Sequence, residues 1–244
     1  MVKNIFVKLI KDPYGSLKRA LYKTTLGPFK YGKGNDYDAR SYWRDRFRRY
    51  GQALRGVGDE GLSEEDNKKA YQEAATIFTN LCIQKGVNFN NVNVLEIGCG
   101  TGFYTQLLYD LGVKRYTGID ITDTLFNTLK DRFPQYTFIQ KDVTREKIEG
   151  SFDLIIMIDV IEHIVTESKF SFAMRNVMEC FSEKGIFILA PIMQESKRLL
   201  FHVRSHSLKE IKRIFSDYTF SPLLSFRGSS IVSIKRTLRI RSAQ

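Results

Sequence analysis

Val94-Leu95-Glu96-Ile97-Gly98-Cys99-Gly100-Thr101-Gly102 constrains this chain more than any other stretch. A short apolar run, a glycine turn and then a helical pattern predict a buried strand that delivers its C-terminal end to a site. Gly98, Gly100 and Gly102 let the backbone turn tightly and approach a ligand with no Cβ in the way. The turn is expected to present free N–H groups at a helix N-terminus. The spacing is G-x-G-x-G, not the G-x-G-x-x-G of dinucleotide binders. No Gly-Lys-Ser/Thr ending follows, which excludes a phosphate-cradling P-loop. Glu96 stands two residues before the first glycine. A carboxylate there repels a pyrophosphate and suits a ligand that carries an ammonium group.

Downstream the pattern alternates. Strand candidates are 92–97, 115–120, 136–140, 152–158 and 185–190, with helical stretches at about 102–112, 123–132 and 166–182. Alternating strands and helices imply a parallel sheet covered on both faces, with ligands at the C-terminal strand ends near the topological switch point. A helix follows from Ser207 to about Phe215, with Ser207 as N-cap and Glu210 completing a capping box. Segments 219–226 and 230–236 are expected to pair as a hairpin around Arg227-Gly228-Ser229. Upstream, residues 37–50 read as a helix with Tyr42, Trp43, Phe47 and Tyr50 as an aromatic stripe among arginines. Ser63 is expected to cap a long helix that Gly86 ends.

Each early strand ends near a carboxylate. Glu96 closes the first, Asp120 the second, Asp142 follows the third and Asp159 the fourth. Asp120, 20 residues after Gly100, is placed to accept hydrogen bonds from a ribose diol. Asp142 can accept from an adenine amino group, with Ile121 and Val143 sandwiching the ring. One such acid is weak evidence, because acids commonly cap the next helix. Three after successive strands, starting from a G-x-G-x-G turn, form a specific constellation. Residues 92–236 resemble the class I S-adenosylmethionine-dependent methyltransferases, most specifically over 92–190. The resemblance implies a doubly wound, seven-stranded, mostly parallel α/β sheet whose last strand is antiparallel, and S-adenosyl-L-methionine as cofactor. It implies cofactor contacts from Glu96, Gly98, Cys99, Gly100, Gly102, Asp120, Ile121, Asp142, Val143 and Asp159. It also divides the chain into a basic N-terminal extension (1–35), a helical lid (36–90) and a methyltransferase core (91–244). A lid arginine is left to hold the cofactor carboxylate.

The acceptor end is Asp159-Val160-Ile161-Glu162-His163. His163 can act as general base toward a hydroxyl, with Asp159 or Glu162 tuning it. The alternative is that His163 and Glu162 only begin a helix. The acid-x-x-Glu-His pattern also resembles a metal-binding motif of the ubiquinone-pathway O-methyltransferases and of enzymes that methylate the terminal 2′-hydroxyl of small RNAs. Those branches commonly carry Glu where Asp159 stands, and no metal is assigned. Arg204 and His206 are candidates for an acidic or hydroxylated acceptor, against the plainer reading of a surface loop.

Charge bears on the partner. The net charge is +11, but residues 1–50 hold 13 Lys/Arg against 4 Asp/Glu and residues 201–244 hold 9 against 2, while residues 51–200 are net acidic. Basic ends on an acidic middle weaken a general nucleic-acid reading. A methyl acceptor that is a small molecule, a sugar or a lipid-linked intermediate is expected; an RNA ribose and a nitrogen atom are the alternatives, and a non-catalytic binding subunit is a third. Residues 1–23 mix apolar and basic residues and can touch anionic lipid, although an extension packed on the core is the plainer expectation. Three widely spaced cysteines argue against a disulfide framework and fit a reducing cytoplasm. The first residues make a poor signal peptide, and no run approaches the length needed to span a membrane.

Overall fold

The computed structural model describes residues 12–237. Two helices come first: α1 (Pro13–Leu21) and α2 (Gly27–Tyr31), joined by a π-helical turn. Asp12 caps α1 by accepting the Gly15 N–H at 2.9 Å, and Pro13 sits where its missing N–H costs nothing. Within the extension expected to pack on the core, α1 buries no residue, whereas Gly27, Tyr31 and Gly34 are buried. The apolar patch of residues 1–11 lies outside the described residues. Then come α3 (Ala39–Tyr50), capped by Asp38, and α4 (Glu64–Gln84), capped by Ser63. Ser63 accepts the Asp66 N–H at 3.0 Å, and three acids in the first turn complement the helix dipole.

From residue 93 strand and helix alternate as the sequence predicts: β1 (Asn93–Ile97), α5 (Phe103–Asp110), β2 (Arg115–Asp120), α6 (Phe126–Arg132), β3 (Thr137–Gln140), β4 (Phe152–Ile158), α7 (Glu167–Glu179) and β5 (Phe181–Ile192). After them come β6 (Lys197–Leu200), β7 (Val203–Ser205), α8 (Leu208–Ile214), β8 (Tyr218–Phe220), β9 (Leu224–Phe226) and β10 (Ser229–Arg236). The sheet order is β3-β2-β1-β4-β5-β10-β8, and β9 also pairs with β10. β1 to β5 run parallel, while β10 is antiparallel to β5 and to both short strands beside it.

This is the doubly wound α/β architecture expected, with seven positions and an eighth strand sharing the last one. The predicted strand 219–226 divides because Pro222 has no N–H for the ladder. The helix expected to reach residue 182 ends at Glu179. β5 starts at Phe181 but pairs continuously with β4 only from Ile186. The segment between β5 and α8, where a surface loop is the plainer expectation around Arg204, holds the antiparallel β6–β7 hairpin.

The period of two along each strand builds the core on both faces. Val94, Leu154, Ile156 and Ile188 pack against Phe78 and Leu81 of α4 and Leu108 of α5. Leu95, Ile155, Met157, Phe187 and Leu189 pack against Phe170, Met174 and Val177 of α7. Each fully buried Leu or Phe contributes about 1.5–3 kcal/mol. A third cluster joins Tyr31, Tyr37, Tyr42, Val165 and Phe201, fastening α2 and α3 to the β6–β7 turn. The chain leaves β1 for β2 and β3 on one side and returns to β4 on the other. The topological switch point therefore lies between the C-terminal ends of β1 and β4.

Candidate active site

The glycine turn after β1 is held by β2. Gly98, Gly100 and Gly102 have φ of 79°, 47° and 78°, a region that favours glycine. A Cβ on Gly98 would stand 2.2 Å from Val160, and one on Gly102 would stand 2.4 Å from Leu129. These two glycines let β1 approach the end of β4 and let α5 seat on α6. Four of the turn's own N–H groups are spent within the protein. Gly98 and Cys99 donate to the Ile119 carbonyl at 2.7 and 3.2 Å, Gly102 donates to Cys99, and Gly100 donates to Asp120 Oδ2 at 3.0 Å. The end of β2 lies close enough to take them.

The four strand-end acids fall on one side of the sheet, and each has a distinct environment. Glu96 shares a face with Val94, so its carboxylate meets α5: Oε2 accepts from Tyr116 OH at 2.5 Å and from Thr105 Oγ1 at 2.9 Å. Burial pushes its carboxyl up to about 8, against those two donors. Asp120 accepts the Gly100 and Thr122 N–H groups, one on each oxygen, and burial pushes it up to about 6. Asp142 accepts the Thr144 N–H and hydroxyl at 2.9 and 2.6 Å. Asp159, with φ of 59°, accepts from Tyr71 OH at 3.2 Å and forms an ion pair with Arg227.

A cavity of about 550 Å³ opens at the switch point. This is the size class of small-molecule sites. Of the residues expected to contact a cofactor, Glu96, Gly98, Cys99, Gly100, Asp120, Ile121, Asp142, Val143 and Asp159 line it. Gly102 does not, because it faces α6. Tyr37, Trp43, Phe47 and Val57 wall the cavity from the N-terminal side.

The expected lid arginine takes two places, neither at the glycine turn. Arg40 lines the cavity but pairs with Glu146 at 3.6 Å, and Glu146 accepts the Asp142 N–H. Arg40 is therefore at the β3 end, two strand spacings from β1, or about 10 Å. Arg46 is turned into the 55–60 loop, where it pairs with Glu60 at 2.8 Å.

His163 also lines the cavity. Its Nδ1 lies 2.9 Å from the His202 carbonyl oxygen. A carbonyl only accepts, so Nδ1 carries the proton and Nε2 keeps its lone pair. Nε2 has no partner among the described residues. Burial pushes the imidazole down to about 4, so it is neutral across the physiological range. Trp43 meets the ring edge-on, with centroids 4.8 Å apart.

Glu162 is not part of the cavity wall. Burial and the charge of Asp159 hold its carboxyl well above the carboxylate range. No group of three or more His, Cys, Asp or Glu side chains that could hold a metal exists among the described residues. Asp159, Glu162 and His163 are thus not gathered as a metal triad. His206 is buried, with Nε2 on the Ile164 carbonyl at 3.1 Å and Nδ1 beside Glu210 at 3.1 Å. Arg204 pairs with the same Glu210 at 2.6 Å. Both hold α8 in place rather than face an acceptor. Glu210 spends its carboxylate on them and on Ser196, which also accepts the Ser207 N–H, so only half of the capping box forms.

Two residues of the site carried no signal in the sequence. Tyr71 lies on the buried face of α4 and reads as core, yet its hydroxyl reaches Asp159. Arg227 reads as a hairpin turn residue, yet its guanidinium stacks on Tyr71 at 4.3 Å and pairs with Asp159.

Known proteins match the same region. Residues 94–185 match a family described as a methyltransferase domain. The malonyl-[acyl-carrier protein] O-methyltransferase of Bacillus anthracis is 28% identical over 128 residues, covering 51% of this chain and 46% of that protein. The human eEF1A lysine and N-terminal methyltransferase is 27% identical over 119 residues, covering 45% of this chain and 16% of the other. The match spans less than half the length of these relatives. Among solved structures, magnesium protoporphyrin IX methyltransferase from Synechocystis PCC 6803, with bound S-adenosylhomocysteine, superposes with a TM-score of 0.62 at 20% identity. That match covers 81% of this chain and 97% of that one. The N-methyltransferase NodS of Bradyrhizobium japonicum WM9 superposes with a TM-score of 0.56 at 18% identity, covering 78% and 97%.

Proposed function

We propose that this chain, a member of the class I S-adenosylmethionine-dependent methyltransferase superfamily, moves a methyl group to a hydroxyl oxygen of a small molecule, a sugar or a lipid-linked intermediate. The cofactor is S-adenosyl-L-methionine, and the cavity fits it in chemistry as well as size. Each Asp120 oxygen accepts one backbone N–H and keeps a lone pair for a ribose hydroxyl. Asp142 marks the adenine end between Ile121 and Val143. Glu96 offers Oε1, which has no partner among the described residues, to an ammonium group.

When bound, S-adenosylmethionine supplies an electrophilic methyl group on a sulfonium. The protein must align an acceptor, keep water out and remove one proton. Trp43, Phe47 and Tyr37 cover the cavity and exclude water. His163 takes the proton on Nε2, because Nδ1 is committed to the His202 carbonyl. That fixed tautomer of a neutral imidazole, at the C-terminal end of β4, is the observation that carries the oxygen reading. An amine acceptor deprotonated in solution needs no such base.

Asp159 sits on the same wall as His163. Its carboxylate is held by Tyr71 and Arg227, so its role here is to shape the wall beside the transferred methyl rather than to take the proton.

Calorimetry with S-adenosylmethionine followed by turnover assays tests the proposal. The wild type should bind the cofactor and release S-adenosylhomocysteine with a hydroxylated acceptor, and His163→Ala should bind without turnover. A wild type that does not bind, or a His163→Ala enzyme with unchanged turnover, overturns it.

A further inference from the structure

A second cavity, of about 390 Å³, lies outside the site just described, between α1, α2, α3 and the 55–60 loop. Six cations line it: Lys18, Arg19, Lys30, Arg46, Arg49 and Arg55. Among the described residues only Asp45 and Glu60 oppose them in its wall, and Arg19 pairs with Asp12 outside it at 3.0 Å. Lys30 takes Asp45 at 2.7 Å and Arg46 takes Glu60 at 2.8 Å. Lys18, Arg49 and Arg55 form no ion pair among the described residues. The cavity therefore has an excess of positive charge, held close by a frame of tyrosines. A tetrahedral dianion or monoanion with several acceptor oxygens suits such a place.

The helices that carry part of this wall are apolar on their outer side. Tyr14, Leu17 and Leu21 stand three and four residues apart on α1 and are 79%, 69% and 55% exposed. Leu26 and Phe29 continue the series at 56% and 93%. Half of the exposed large hydrophobic residues of the described chain fall in this one stretch of about twenty residues. α1 buries nothing, so packing among the described residues does not explain its apolar side. A helix with leucines and aromatics on one side and lysines and arginines beside them is the pattern of a helix that lies in a membrane interface.

We propose that the N-terminal helices dock on an anionic lipid surface, with Leu17, Leu21 and Phe29 entering the acyl boundary and the cationic cavity taking a lipid phosphate. Charge complementarity chooses this occupant. A second copy of the chain would bring the same positive charge against the cavity, and an unlike apolar partner would leave Lys18, Arg49 and Arg55 unused. The membrane contact goes beyond the methyl-transfer reading and does not depend on it. The two share a support, however: Tyr31 at the end of α2 stacks on Phe201, and the next residue, His202, holds His163.

Vesicle flotation tests the proposal with the full chain and no acceptor. The protein should float with phosphatidylcholine vesicles that contain phosphatidylglycerol and not with phosphatidylcholine alone, and added salt should weaken binding. Leu17→Glu/Leu21→Glu and Phe29→Glu should each reduce binding by roughly tenfold or more. Lys18→Glu/Arg49→Glu should do the same at low salt. All these side chains are exposed, and calorimetry with S-adenosylmethionine should give unchanged cofactor binding in every variant. Equal binding to neutral vesicles, or none to either, overturns the proposal. So does inorganic phosphate binding that the Lys18/Arg49 variant loses while the Leu17/Leu21 variant floats normally, which marks a soluble-phosphate site. A wild-type dimer on gel filtration that Leu17→Glu/Leu21→Glu dissociates also overturns it, because the face then joins two copies.

Discussion

Arg227, in the turn before the last strand, forms an ion pair with Asp159 at the end of β4, 68 residues earlier. Both residues adopt positive φ, 48° and 59°, conformations that non-glycine residues rarely take. The pair fixes the wall of the cavity next to the glycine turn, and its side chains are 20% and 21% exposed. Arg227→Met removes the cation and leaves a largely buried carboxylate with only Tyr71 OH. The expected loss is about 2 kcal/mol, reduced from the value for a fully buried pair because water reaches both groups. Denaturant unfolding measures it. The double variant Asp159→Asn/Arg227→Met should recover part of that loss, and additive losses would show that the pair is not coupled.

Glu96 predicts a pH dependence of cofactor binding. Burial raises its carboxyl to about 8, so it is largely protonated at pH 7 in the free protein. An ammonium group beside it favours the carboxylate, so binding releases a proton. Cofactor affinity should therefore rise with pH toward about 8 and fall above it, as the cofactor's own ammonium loses its proton. Glu96→Gln should bind more weakly and lose this slope. The stability of the free protein should move the other way. The folded pKa is raised, so Glu96 favours folding at pH below its unfolded value, and that contribution is lost as pH climbs through about 8. Calorimetry in buffers of different ionisation enthalpy counts the released proton directly.

The sheet was readable because its signals are local. Apolar runs with a period of two, separated by helical patterns, fix β1 to β5, and the strand-end acids follow from where those runs stop. The cavity wall from Glu96 to Val143 was legible for the same reason. What was not legible depends on distant parts of the chain. Arg227 and Tyr71 look like a turn residue and a core residue until the fold brings α4 and the last hairpin to Asp159. The β6–β7 hairpin is mostly polar and half exposed, so it shows no apolar alternation. That hairpin nevertheless carries the carbonyl that sets the tautomer of His163. The N–H groups of Gly98, Cys99 and Gly100 are taken by the end of β2, a relation that the order of strands decides and the turn's own sequence does not.

His163 should titrate near pH 4 rather than near its ordinary 6.5, because burial disfavours the charged ring. Histidine NMR on the free protein checks both the pKa and the tautomer, with the proton expected on Nδ1. The acid limb of kcat/KM should accordingly lie below pH 5 for this group. The same shift makes folding less stable as pH falls from 6.5 toward 4, since the unfolded chain binds the proton first. His163→Gln should lower kcat by about 10²–10⁴-fold with cofactor affinity little changed. A pKa near 6.5 with the proton on Nε2 would remove His163 as the base.

Asp120 links the cofactor's ribose to the shape of the glycine turn. Its two oxygens hold the Gly100 and Thr122 N–H groups, so Asp120→Ala removes a ribose partner and frees two backbone donors at once. Cofactor affinity should fall well over tenfold, about 1.4 kcal/mol or more. Asp120→Asn separates the two roles. Its single carbonyl oxygen can keep one backbone N–H, while its NH₂ group repels the other donor. Affinity should then fall between the wild type and Asp120→Ala, and no longer depend on pH near 6, where burial places the aspartate. If Asp120→Ala binds S-adenosylmethionine as tightly as the wild type, the ribose does not sit at the end of β2.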